Sequence, residues 1–120
     1  MAGRYYFINT TRKLTLADNG RIADNPWLRL KGLLGTKTLP DGQGLLIEPC
    51  QSIHTFFMAY PIDVLFLDKR FRIVHLYKAM RPNRASRIVF KAHSVIELPP
   101  GIVDRSGTAV GDVVSVEAAG

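Results

Sequence analysis

A small, mostly β (α+β) domain is what this sequence predicts: an antiparallel β-barrel or sandwich carrying one principal helix. Three observations carry that prediction. Short apolar runs rich in β-branched and aromatic residues recur along the chain, each bounded by Gly, Pro, Asn or Asp. One segment, 26–34, has helical punctuation at both ends. With 120 residues and 47% apolar content, residues 1–120 suit one domain with one core.

Residues 4–9 (Arg-Tyr-Tyr-Phe-Ile-Asn) read as the first strand by their aromatic and β-branched content. Residues 13–16 (Lys-Leu-Thr-Leu) alternate and read as its hairpin partner. Asp18-Asn-Gly20 has turn chemistry. The helix at 26–34 follows: Asn25 can cap it, Pro26 fits its first turn, and Gly35 fits a left-handed C-terminal position. Trp27, Leu30 and Leu34 recur at helical spacing, with Leu33 beside them, and are expected to form its core stripe. Arg29 and Lys31 take the outer side. Residues 39–44 form a loop. Strands are then expected at 45–48, 53–58, 62–67, 71–77, 93–98 and 113–117. Asp68-Lys-Arg70 and Arg81-Pro-Asn-Arg84 read as turns, and Pro99-Pro-Gly101 stops a strand because proline cannot continue a ladder. Residues 102–110 read as an irregular connection or one helical turn, and Gly111-Asp112 turns into the last strand.

The charge is basic, 16 Lys+Arg against 10 Asp+Glu. Half of the cations fall in 69–91, a block without an acid: Lys69, Arg70, Arg72, Lys78, Arg81, Arg84, Arg87 and Lys91. Such a block fits an anionic partner, or simply a solvated face. A single cysteine excludes an internal disulfide. The start, Met-Ala-Gly-Arg-Tyr-Tyr-Phe, shows neither a signal peptide nor a membrane span, so the expected location is the cytoplasm, with no membrane partner.

The reactive residues concentrate in 45–68, between two apolar runs at 45–47 and 62–67. Cys50, Ser52 and His54 share one side if the segment is extended, because successive side chains alternate. Thr55, Met58 and Gln51 accompany them. Asp63 is the one charge within 62–67. A buried carboxylate must be paired, hydrogen-bonded or protonated. Asp63 therefore either accepts backbone N–H bonds or joins a polar pocket with His54 and Arg81 or Arg84. A thiol beside an imidazole can be a nucleophile, but at the end of an apolar strand burial is the expected fate of Cys50. His75 and His93 sit on separate strands without ligand spacing, so no metal is expected. No Gly-rich phosphate loop, dinucleotide fingerprint or nucleophile elbow occurs, and no cofactor is expected.

Six pieces occur in order: Arg29-Leu-Lys-Gly-Leu-Leu-Gly35, Gly44-Leu-Leu-Ile, Ile53-His-Thr-Phe-Phe-Met58, Pro61-Ile-Asp-Val-Leu-Phe-Leu-Asp68, Glu97-Leu-Pro-Pro-Gly101 and Gly111-Asp112. Over about 27–117 this resembles a bacterial and archaeal family, domain of unknown function 192. The resemblance implies a compact β-rich domain and no catalytic assignment. Many members look exported, and many carry Trp-Met where this chain has Phe57-Met58. Both departures suggest a cytoplasmic branch with its own version of the pocket.

The reading is a β-barrel module with a pocket made by Cys50, Ser52, His54, Thr55, Met58, Asp63, Arg81 and Arg84. It would bind a small anionic or peptide-like ligand, or a protein partner, since guanidinium forks grip paired oxygens. A hydrolase or transferase using Cys50 and His54 is the alternative from the enzyme class. A nucleic-acid-binding module using 69–91 is the third reading. Its aromatics, Phe71, Tyr77 and Phe90, are expected to be drawn inward by strand periodicity.

Overall fold

Seven strands form one mixed sheet that curls into a half-barrel, with two short helices, in a computed structural model describing residues 3–119. The reading of the first residues as free of a targeting segment falls partly on residues 1 and 2, outside the described range. The elements are β1 (Tyr5–Asn9), β2 (Leu14–Ala23), α1 (Pro26–Lys31), β3 (Gln43–Ile47), β4 (Ile62–Leu67), β5 (Ile73–Met80), β6 (Ser94–Leu98), α2 (Ile102–Ser106) and β7 (Val114–Ala118). Across the sheet their order is β5-β4-β6-β3-β2-β1-β7. All neighbours are antiparallel except β2 and β3. A parallel pair needs a crossover, and residues 24–42 with α1 supply it. The outer strands meet at one end, where Ile73 N donates to Asp112 O (2.8 Å) and Val114 N to Phe71 O (2.9 Å).

The sheet buries both faces. Phe7, Leu46, Leu65, Leu67, Ile96 and Leu98 fill the concave side, with Val103 of α2 against them. Ile47, Val64, Phe66 and Val95 form the other side, covered by Leu33, Leu39, Ile53 and Val89 from the connections. Strand β4 is buried at every residue, which is why its sequence is apolar on both faces except at Asp63 rather than alternating.

The mostly β fold stands as expected, with two short helices, and four local expectations do not. Asp18-Asn-Gly20 is not a turn; it lies within β2, where the β1–β2 register shifts. Gly20 is needed there because the Phe7 ring would lie 2.6 Å from any Cβ at that position. Residues 53–58 are not a sheet strand. Among the described residues their only ladder contact is the His54–Ala85 bridge, and 51–55 are strapped instead to 83–89. The helix starts as its cap indicates, with Leu28 N donating to Asn25 Oδ1 at 2.8 Å. It ends at Lys31, because Gly32 (φ +49°) takes the terminal position expected of Gly35. The stripe beyond Gly32 therefore has no helix to ride on. Leu28 and Leu33 turn inward, while Trp27 is 69% exposed and Leu30 71%.

Among the described residues no helix is long and apolar enough to cross a membrane. None of their His, Cys, Asp and Glu side chains gather in the threes a metal ion needs.

Candidate functional site

The crossover and the 47–58 connection enclose a cleft of about 360 Å³ on the convex face of the sheet. One wall is 26–34, with Arg29, Leu30 and Leu33 turned to it. The other wall holds Pro49, Cys50, Ser52, Ile53, His54 and Met58. The floor is Ile47 of β3 and Glu97 of β6.

Glu97 is the unexpected member. It sits on a central strand, paired with Leu45 on one side and Val64 on the other. Strand alternation turns it to the same face as Val95, which packs in the convex-side core. Only 4% of it is exposed, and its carboxyl has no hydrogen-bond partner among the described residues. Burial pushes its pKa from 4.5 up to about 7, because the charged form loses hydration and gains nothing in return. A polar group in such a place has one open direction, into the cleft it lines.

Cys50, Ser52, His54 and Met58 all line this cleft. Cys50 Sγ donates to Ser52 O at 3.1 Å. Burial pushes the thiol pKa up, and the nearby Glu97 adds to that rise. The imidazole does not meet the thiol in a hydrogen bond. His54 Nδ1 accepts from Phe56 N (3.3 Å), and the ring stacks on Phe56 with centroids 5.0 Å apart. No thiol–imidazole pair is assembled.

Four expected members lie outside the cleft. Asp63 precedes Val64, so alternation points it to the concave face, away from Glu97. There its Oδ1 accepts from Ala79 N (2.7 Å), and its Oδ2 from Gly101 N (3.1 Å) and Val103 N (2.8 Å). It ties β4 to β5 and to the start of α2, the structural alternative already in view. Thr55 is buried and holds the 81–84 turn: its hydroxyl donates to Arg81 O (2.5 Å) and accepts from Arg84 N (3.0 Å). Arg81 and Arg84 serve that turn through their backbones, and their side chains are exposed. The arginine at the cleft is Arg29, whose guanidinium donates to Pro49 O at 3.4 Å.

The DUF192 family pattern, described as an uncharacterized ACR, matches residues 8–116. The chain belongs to the DUF192 family. A UPF0127 protein from Thermococcus sibiricus is 34% identical over 115 residues, spanning 92% of this chain and 73% of that protein. Another from Pyrococcus horikoshii is 33% identical over 112 residues, spanning 89% and 95%. Two crystal structures share the fold. One is a protein of unknown function from Novosphingobium aromaticivorans (TM-score 0.80, 18% identity, 95% of this chain and 84% of that one). The other is a candidate transcription regulator from Sinorhizobium meliloti 1021 (TM-score 0.79, 22% identity, 97% and 94%). The family match thus covers most of the described residues. Three of those motifs, around Arg29, His54 and Glu97, converge on the cleft.

Proposed function

We propose that this DUF192 domain is a small-molecule-binding module, with its ligand seated in the cleft over Glu97. One observation carries the reading: Glu97 is 4% exposed, and its carboxyl, without a hydrogen-bond partner among the described residues, lines an otherwise largely apolar cleft. Concave, mostly apolar sites with few polar groups are where small ligands bind. An acceptor that accepts no hydrogen bond from the protein is free to take one from a bound molecule, so a ligand that donates to it gains a specific contact. The ligand is a compact molecule with an apolar body and a hydrogen-bond donor for Glu97. An anionic or carboxylate end fits the rim, where Arg29 and Lys31 stand. A peptide-like molecule has all three features.

The enzyme reading rests on the same carboxyl and not on the thiol. A group with a pKa near 7 is suited to moving a proton. In that reading Glu97 exchanges a proton with the bound molecule, and Cys50 has no covalent part.

Native mass spectrometry of the purified protein for a co-purifying ligand, followed by NMR shift mapping with that molecule, tests the proposal. The expected result is a mass shift, with perturbed amides in 26–34, 47–58 and 97, both lost in Ser52→Trp, which fills the cleft mouth. Perturbations centred elsewhere would refute it. Turnover of the ligand abolished by Glu97→Gln would select the enzyme reading.

A further inference from the structure

A second recess lies away from the Glu97 cleft, between the β4–β5 turn and residues 90–93. Its walls carry Lys69, Arg70, Arg72 and Lys91. One acid, Asp68, is among them, and its Oδ1 is occupied by Arg70 N (2.8 Å) and Arg72 N (3.0 Å). The ion pairs of the described residues are Arg12–Asp112, Lys78–Asp104 and Arg105–Asp41, so none of the four cations is neutralised by a carboxylate. The turn that presents them is fixed by backbone bonds as well, Asp68 N to Arg72 O and Phe71 N to Asp68 O, both 3.0 Å.

Phe90 also lines the recess, 80% exposed. Strand periodicity was expected to bury it, but it falls on a turn ahead of β6, outside any ladder. Gln51 Nε2 donates to Phe90 O at 2.9 Å and holds that turn in place. Exposing a phenyl ring beside four cations brings no benefit to the core. A flat apolar face next to a row of positive charges is what an unstacked base and its phosphates require.

We propose that this recess binds single-stranded nucleic acid, with a base stacked on Phe90 and the backbone phosphates along Lys69, Arg70, Arg72 and Lys91. Duplex does not suit it, because stacked and paired bases cannot offer a face to the ring. Binding tolerates sequence, since every base has such a face.

The test is fluorescence anisotropy of the full chain with labelled oligo(dT) and oligo(rU) at several salt concentrations. Three or four phosphate contacts give a log-log salt slope of about −2 to −3 for a single strand. Phe90→Ala is expected to weaken binding roughly five- to 150-fold, the range for losing one stacked base. The double variant Lys69→Glu/Lys91→Glu is expected to abolish it. The double variant Arg21→Glu/Lys37→Glu makes the same charge change on exposed residues outside the recess and is expected to leave most of it. Thermal melts establish that each variant folds. Equal losses in the two charge variants would overturn the proposal in favour of diffuse attraction to a basic protein. So would an unchanged Phe90→Ala, or inorganic polyphosphate competing as well as the oligonucleotide, since either removes the base from the contact.

Discussion

Replacing Glu97 by glutamine turns the buried carboxyl into a neutral group of nearly the same shape. In the native state the Glu97 pKa is raised from 4.5 to about 7 by burial. Between those values the folded protein holds a proton that the unfolded chain has released. Stability from this group is therefore fully present below pH 4.5 and is lost as pH rises through 7. At about 1.4 kcal/mol for each pH unit, the loss reaches about 3 kcal/mol by pH 8. Glu97→Gln lacks this titration. It should match the wild type within about 1 kcal/mol at pH 5 and exceed it by about 2–3 kcal/mol at pH 8. Urea unfolding at a series of pH values from 5 to 8.5 measures the difference. His75 acts in the opposite direction in the same window: burial, then Arg87, lowers its pKa from 6.5, so its contribution grows as pH rises. Both proteins share that term, and it cancels in the difference. Asp112 is pushed up by burial, but hydrogen bonds from Asn9 and Arg12 more than reverse this, and its window lies below 3.8, outside the assay. Parallel stability curves for the two proteins would refute the buried, unpartnered carboxyl.

Three further outcomes are expected. Asp63→Ala strands three backbone donors and should cost about 3–5 kcal/mol in denaturant unfolding, whereas a ligand-only role would leave stability unchanged. Trp27→Ala should stay within about 0.5 kcal/mol of wild type, since the ring is mostly exposed; a larger shift in the urea midpoint would return Trp27 to the core. Iodoacetamide should label native Cys50 slowly at neutral pH, because burial raises the thiol pKa, and rapid labelling with a low pH midpoint would restore the thiol enzyme.

The fold was legible where local pattern and burial agree. β4 falls on 62–67 as read, because a run buried on both faces is apolar apart from a side chain whose hydrogen bonds are met, as those of Asp63 are. Reading failed where distant packing set the role. Gly20 looks like turn punctuation, yet a phenyl ring from β1 demands it. Trp27 and Leu30 keep helical spacing, yet Gly32 ends the helix before the stripe can pack. In the cleft, the 50–58 segment was visible because unlike polar residues interrupt apolar strands. Glu97 stands in a stretch, Glu97-Leu-Pro-Pro-Gly101, whose prolines signal only the end of a strand. The signal that exposed Asp63, a carboxylate inside an apolar run, was equally present in Ser94-Val-Ile-Glu-Leu98. Which of the two acids is satisfied depends on what lies above each face, and that is not written in either strand.

The parallel pairing of β2 with β3 has a consequence for how this family can diversify. Antiparallel neighbours can be joined by a tight hairpin, whereas this pair obliges the chain to travel the length of the sheet through 24–42. That obligatory detour is also one lip of the cleft. Doubling the length of a flexible connection costs only about 0.6 kcal/mol in closure entropy. Residues can thus be added or removed around 34–38 with the register of β2 and β3 left as it is. The opening above Glu97 can be resized while the frame beneath it stays the same.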